Sequence, residues 1–337
     1  MKILYIITKG EIGGAQQVVL NLARQQKKEG HDVVVGWGDG ESLRNELQKS
    51  NIAYKNFAYL KRSYNPLFVL FFVWEIKKYL SNNNFDLVHF HSSNTLPGAI
   101  GVKISNKKSP KTIFTFHGLS VLDPNYETNT LKRIIFWVYF KLFLLFIDEN
   151  IFVCNYNLET AKKIKLVKNG TVIYNWIDEN ELKLLPREEA RRSMATEYKI
   201  TNLDNKFIIG SIGRLAYPKN YEFLINIFPK ILKLKPNAVC IIFGEGPERE
   251  KYEKLINKFE LSDIFFLPGE FKNAMDYLKA FDLFVLPSKY EGMPMVLLGA
   301  LIAETKILAS NVGGNKEILS DNQLYNLDDE ETFLKLI

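Results

Sequence analysis

Cysteine and histidine are scarce in this chain, with two and four copies among 337 residues. Cys154 and Cys240 each sit in an apolar stretch, IFVCN and AVCIIFG, that reads as a buried strand. A disulfide framework is therefore not expected, and a reducing compartment is. The histidines show no ligand spacing with cysteines or acids, so no metal site is expected. No apolar run approaches the ~20 residues needed to span a bilayer. Neither sign of charge dominates: 44 Lys and Arg against 38 Asp and Glu leave a net charge of +6. The basic residues are interspersed with acids, which excludes the dense basic stripe of a nucleic-acid binder and leaves a weaker anionic partner, a membrane surface or a phosphate-bearing substrate. No cleavable leader is expected, since Met1 opens directly into KILYII, and a cytoplasmic protein is. No internal repeat or low-complexity segment is present.

The composition, 47% hydrophobic and 24% charged, is that of a globular protein too long for one ordinary core. Short β-branched runs alternate with helical patterns: KILYIIT, HDVVVGW, FDLVHFH, KTIFTFH, ENIFVCN and TVIYN, then KFIIGSIG, AVCIIFG, DIFFLPG, LFVLPS and KILAS. Such alternation predicts α/β architecture with two parallel, doubly wound sheets. The series break near 179–206, a charged stretch lacking a strand, giving expected domains 1–180 and 181–337. Sheets of this kind take ligands beyond the carboxyl ends of their strands.

The aromatic fraction is high, with 24 Phe and 16 Tyr, and two helices carry much of it. One begins at Pro66 after Asn65 and reads PLFVLFFVWEIKKYL; the other, from Leu131, reads LKRIIFWVYFKLFLLFI. Two readings stay open for 66–80 and 131–147: buried core helices of the first domain, or interfacial helices in peripheral contact with a membrane.

Several strand-end loops carry candidate chemistry. In KGEIGGAQQVVLNLA, Gly13 and Gly14 permit close backbone approach to a ligand, and the helix that follows favours an anion at its first amides. The spacing is not a dinucleotide fingerprint. GSIGRLAYPKN places Arg214 and Lys219 on one short loop after Gly213, where two cations would neutralise a diphosphate leaving group. FGEGPERE supplies Gly244 and Gly246 for an open turn. His117, just past the strand KTIFTF, is the histidine placed to meet a ligand; His89 and His91 flank Phe90 in FDLVHFH, and His31 lies in a polar turn. In LFVLPSKYEGMPMVLL, a strand ends at Pro287, Glu291 is offered to sugar hydroxyls, and Gly292, Met293 and Pro294 lead into a helix whose first residues include Met295 and Val296.

Taken in order, GEIGGAQ, FTFHG, VIYNWID, GSIGRLAYPKN, GEGPERE, FFLPG and SKYEGMPMVLL resemble the bacterial glycosyltransferases of family 4, from the first strand to about Glu317. The resemblance implies the GT-B fold, two Rossmann-like domains facing each other across a cleft that holds a nucleotide diphosphate-sugar, bound mainly by the C-terminal domain. It implies that Arg214 and Lys219 bind the diphosphate, with Gly14 approaching it, that His117 sits beside the donor sugar, that Glu291 contacts its hydroxyls, and that the Met293–Val296 backbone lines the site. It further implies retention of anomeric configuration without a metal or other cofactor, the leaving diphosphate helping to deprotonate the acceptor.

Three departures stand out. The family's second glutamate, which holds the donor ribose eight positions after the first, is replaced by Gly299. Glu304 and Lys306 stand where Gly and Pro are common. The chain stops at Ile337, where relatives continue into a helix that packs back on the N-terminal domain. The leading expectation is a transferase at the inner face of the cell membrane, moving a hexose or N-acetylhexosamine from a UDP-sugar to a saccharide or lipid-linked saccharide in capsule or lipopolysaccharide assembly. A catalytically impaired glycan- or partner-binding scaffold and a nucleotide-sugar epimerase are the alternatives.

Overall fold

The structure, a computed structural model, describes residues 1–105, 109–198, 203–271 and 273–337, and the elements below are those of the described residues. They form two compact units, Met1–Asn175 and Trp176–Ile337. The division falls five residues before the expected boundary at 180 and 181.

The first unit runs β1 (Lys2–Lys9), α1 (Gly14–Lys28), β2 (Asp32–Asp39), α2 (Ser42–Lys49), β3 (Ala53–Asn56), α3 (Pro66–Ser81), β4 (Leu87–His91), α4 (Gly98–Lys103), β5 (Lys111–Phe116), α5 (Thr130–Phe143), β6 (Glu149–Phe152), α6 (Asn155–Lys163) and β7 (Thr171–Val172). All strands are parallel, in the order β3-β2-β1-β4-β5-β6-β7. Winding reverses between β1 and β4, so the helices fall on two faces. On one, α1 and α2 pack Val19, Leu20, Leu43 and Leu47 against Ile3, Tyr5 and Ile7. On the other, α3 to α6 pack Phe72, Ile76, Phe140 and Leu158 against Leu4, Ile6, Phe90 and Phe116. Burial on both faces is why β1 reads as an unbroken apolar run.

Local signals set the helix starts. Asn65 Oδ1 accepts from Leu67 N at 3.0 Å, with Pro66 at the first helical position, and Asn129 Oδ1 caps α5 through Lys132 N at 2.8 Å. Neither α3 nor α5 is a buried core helix: α3 buries only Phe72, Ile76 and Leu80, and α5 only Phe140.

The second unit runs α7 (Arg187–Tyr198), β8 (Phe207–Ile212), α8 (Tyr221–Leu234), β9 (Ala238–Phe243), α9 (Arg249–Lys258), β10 (Phe265–Gly269), β11 (Leu283–Leu286), α10 (Met295–Ile302), β12 (Ile307–Ser310), β13 (Leu324–Tyr325) and α11 (Glu330–Leu336). Its parallel sheet has the order β10-β9-β8-β11-β12-β13, reversing between β8 and β11. The charged stretch taken for a break belongs to this unit: α7 buries Ala190 and Met194, and the guanidinium of Arg191, 5% exposed, donates to the Ala280 and Leu203 carbonyls and to Asp282 Oδ2 at 2.6 Å. Asp282 also accepts from Ile208 N at 2.7 Å, locking the helix to the sheet. At the far end α11 sets Phe333 between Phe223 and Tyr325.

The Glu304 departure has a backbone meaning. Helix α10 ends in a Schellman motif, with Thr305 N donating to Ala300 O at 3.1 Å and Glu304 N to Leu301 O at 3.0 Å. Glu304 adopts φ 56°, a conformation that costs any residue but glycine about 1 kcal/mol or more. Glu304→Gly is therefore expected to raise the unfolding midpoint by about 2 °C, read by calorimetry, the relief of strain being partly offset by glycine's greater freedom in the unfolded chain.

Candidate functional site

In the second unit the winding reversal puts the loops after β8 and β11 side by side, the place where a doubly wound sheet presents ligands. Lys219 lies on the first and Glu291 on the second. Their side chains meet, Lys219 Nζ donating to Glu291 Oε1 at 2.6 Å with only 21% and 13% of the two side chains exposed. Ser288, fully buried, donates its hydroxyl to the same oxygen at 2.6 Å. Backbone bonds fasten this meeting, Lys289 N to Pro218 O at 2.8 Å and Gly314 N to Gly292 O at 2.9 Å. A Cβ on Gly313 would lie 2.0 Å from the Glu291 carbonyl, so the loop after β12 closes on Glu291 only because glycine stands there.

The glycine-bearing loops after β8 and β9 fit into each other in the same way. Gly213 N donates to Phe243 O at 2.9 Å and Leu215 N to Glu245 O at 3.0 Å. A Cβ on Gly244 would lie 2.0 Å from Gly213 O, and one on Gly246 2.1 Å from Leu215 O. These glycines serve loop-to-loop packing, which holds the Gly213–Lys219 segment. Arg214 on that segment is exposed, whereas Arg249 at the start of α9 is neutralised by Glu245 and Glu253. Met293 and Met295 turn their side chains inward, each 4% exposed, Pro294 is buried and Val296 half-buried. What the start of α10 can offer a ligand is backbone amide.

Gly299, by contrast, leaves no vacancy. It is buried in α10, and a Cβ there would stand 3.0 Å from Met275 Sδ and 3.1 Å from Leu278 Cδ1. Where the family's second carboxylate would stand, the turn 274–280 packs against the bare Gly299 backbone.

In the first unit, Gly13 caps α1 in an extended conformation and Gly14 opens the helix, next to the β1–β4 reversal. His117 does not stand alone. His91 Nδ1 and His117 Nε2 are 2.9 Å apart with stacked rings, the His89 ring lies 4.2 Å from that of His91, and His89 Nε2 contacts Thr115 Oγ1 at 2.7 Å. Burial pushes His89 down to about 3, helped by His117, and His117 down to about 4. Burial, then His89 and His117, hold His91 well below the range of an ordinary histidine. All three rings are neutral at pH 7. His91 Nε2 is buried with no hydrogen-bond partner. An unmet lone pair is tolerated better than an unmet N–H, so His91 donates from Nδ1 to His117 Nε2, and His117 carries its own proton on Nδ1. Ser92, next along, holds φ 77°, a strained backbone kept by the 2.6 Å contact of its hydroxyl with Thr8 Oγ1.

His91, Ser92 and Ser288 were passed over in the sequence. The available signal for His91 was strand alternation, which sets residues 89 and 91 on one face of β4, and the parallel register pairing His91 with Thr115, two residues before His117.

Two outcomes are expected. An unfolded histidine takes up a proton near pH 6.5, whereas folded His89 and His117 refuse it until about 3 and 4. Acidification through that window favours the unfolded chain, and at pH 5 each ring costs about 2 kcal/mol relative to neutral pH. Unfolding midpoints should therefore fall steeply between pH 7 and 5, and less steeply in His89→Gln. Gly299→Glu alone should lower the midpoint by forcing Met275 aside; adding Met275→Ala should restore most of the loss in the same melting assay.

Comparison with known proteins agrees with both units. Residues 12–181 match the family described as Glycosyltransferase Family 4, and residues 194–333 that described as Glycosyl transferases group 1. The chain is 28% identical over 322 residues to the O-antigen biosynthesis glycosyltransferase WbnH of Escherichia coli, covering 95% of this chain and 84% of that one. It is 26% identical over 269 residues to the N,N'-diacetylbacillosaminyl-diphospho-undecaprenol alpha-1,3-N-acetylgalactosaminyltransferase of Campylobacter jejuni, covering 79% of this chain and 69% of that one. Among solved structures, Anabaena HepE in complex with UDP-glucose superposes with a TM-score of 0.81 at 19% identity, covering 100% of this chain and 88% of that one, which speaks to the fold. With about half of its residues matched by that one family and two Rossmann-like units of the GT-B fold, the chain belongs to Glycosyltransferase Family 4.

Proposed function

We propose that this glycosyltransferase is a retaining, metal-independent enzyme that moves a hexose or N-acetylhexosamine from a UDP-sugar to a lipid-linked saccharide in cell-surface polysaccharide or glycolipid assembly. The observation that carries the reading is the Lys219–Glu291 contact, which sets a diphosphate-neutralising cation and a hydroxyl-accepting carboxylate 2.6 Å apart at the ligand end of the sheet. Lys219 gives one of its three N–H donors to Glu291 and keeps two for phosphate oxygens. Arg214 completes the countercharge as the glycosidic bond breaks, and the first amides of α10 face the same phosphate or sugar oxygens. In the first unit His117, neutral and with its proton on Nδ1, can offer a sugar oxygen a hydrogen bond without adding charge.

Support for the substrates comes from the relatives. The Campylobacter jejuni enzyme is named for a diphospho-undecaprenol-linked acceptor, the Escherichia coli one for O-antigen biosynthesis, and the HepE crystals hold UDP-glucose. The scaffold reading motivated by Gly299 is not favoured, the relatives being transferases by name; no observation favours an epimerase.

Saturating UDP or a matching UDP-sugar should raise the melting midpoint by about 5 °C or more, as a ligand at a hundred times its Kd stabilises by about 2.7 kcal/mol, while GDP and ADP should not. Turnover should persist in a chelator and give a product of unchanged anomeric configuration by NMR. Lys219→Ala should cut it by about a hundredfold or more. Absence of saturable UDP binding, or an inverted product, would sink the proposal.

A further inference from the structure

Helices α3 and α5 lie on the same face of the first sheet, over one buried cluster, and Tyr64 at the foot of α3 sets its ring edge-on to Phe136 and Tyr139 of α5. Their inner stripes are used up in that cluster; their outer stripes are also apolar. On α3, Leu67, Leu70, Phe71 and Trp74 are 61%, 64%, 48% and 55% exposed, and on α5, Leu131, Ile135, Val138 and Leu142 are 68%, 56%, 41% and 55% exposed. The spacings of three and four make each set a continuous stripe along one helix side, which is different from the scattered exposed leucines of any surface. Helices layered on one sheet face turn their outer sides the same way, so the two stripes form one apolar surface.

The charges that border this surface select its partner. Residues 130–147 include Lys132, Arg133 and Lys141 and no acid. On α3, Lys77 and Lys78 follow Trp74, with Lys78 Nζ 5.1 Å from the indole centre; on α5, Lys141 and Trp137 instead turn inward, donating to the carbonyls of Leu166 and Ile164. The one acid of α3, Glu75, spends its two oxygens on the backbone amides of Ala58 and Tyr59. Cations and an indole ring at the edge of an apolar stripe are the arrangement that fits the headgroup boundary of an anionic bilayer. Among the described residues no helix is long and apolar enough to cross a membrane. A second copy is a poorer occupant, because two such faces would bring like charges together.

We propose that the α3–α5 face is a monotopic docking surface for an anionic lipid bilayer, with the Leu70 and Trp74 side chains of α3 and the Ile135 and Leu142 side chains of α5 entering the acyl boundary and Lys77, Lys78 and Lys132 at headgroup level. The proposal stands apart from the donor assignment, since its test contains neither donor nor acceptor. Sedimentation of the full chain with phosphatidylglycerol-containing vesicles should show binding about tenfold or more stronger than with phosphatidylcholine alone, falling several-fold at ~0.5 M salt, where exposed charges are screened within a few Å. Replacing Leu70, Trp74, Ile135 and Leu142 together by serine should abolish binding with the melting midpoint unchanged. A milder Lys77→Gln, Lys78→Gln, Lys132→Gln variant should keep the fold and lose the preference for anionic vesicles. Equal binding by the serine variant, no binding by the native chain, or a native dimer in sedimentation velocity that the serine substitutions dissolve would each overturn the proposal.

Discussion

A lysine and a glutamate that meet at 2.6 Å under partial cover hold the second unit's ligand end together. Taking both charges out of water is costly, and a pair of this kind seldom adds net stability over an apolar substitute. What it provides is position. With Ser288 on the same carboxylate oxygen and the Lys289–Pro218 and Gly314–Gly292 backbone bonds around it, neither loop can shift without leaving a charge buried and alone. On the proposed reading a phosphate would meet a Lys219 that the carboxylate already holds, and the loop carrying Arg214 is steadied from its other side by the close glycine contacts with the β9 loop.

The two units meet the same topological problem with different side chains. Each sheet reverses its winding, between β1 and β4 or between β8 and β11, and each reversal opens a crevice at the carboxyl ends of the strands. In the second unit the crevice is furnished with paired and exposed charge. In the first, beside an exposed Lys9–Glu11 pair, it is furnished with neutral polar groups: three rings held uncharged by burial, a Ser92–Thr8 contact and the start of α1, whose Gly13 cap brings no side chain.

Much of this was legible in the residues. The unbroken apolar runs gave parallel strands, Asn65-Pro66 marked the start of α3, and the loops bearing Gly14, His117, Arg214 and Glu291 were placed at strand ends by their flanks. What escaped was whatever depends on a neighbour distant in sequence. Lys219 and Glu291 are separated by 72 positions, so their contact could not be read from spacing. The packing of Met275 and Leu278 against Gly299, from another element, was equally out of reach of spacing. The acids of α7 hid a helix that buries Ala190, Met194 and a guanidinium, while the apolar residues all round α5 hid the fact that only Phe140 is buried.

The histidine cluster shows why neutrality matters for a glycosyl transferase in particular. As the bond to the diphosphate breaks, negative charge grows on the phosphate and positive charge on the sugar carbon. Countercharge is useful at the first and harmful at the second. On the proposed reading, a protonated His117 beside a sugar would oppose that developing cation, whereas a neutral one, oriented through His91, would hold a sugar oxygen without adding charge. The burial that makes these rings sensitive to acid is thus the same feature that keeps them compatible with the chemistry at neutral pH.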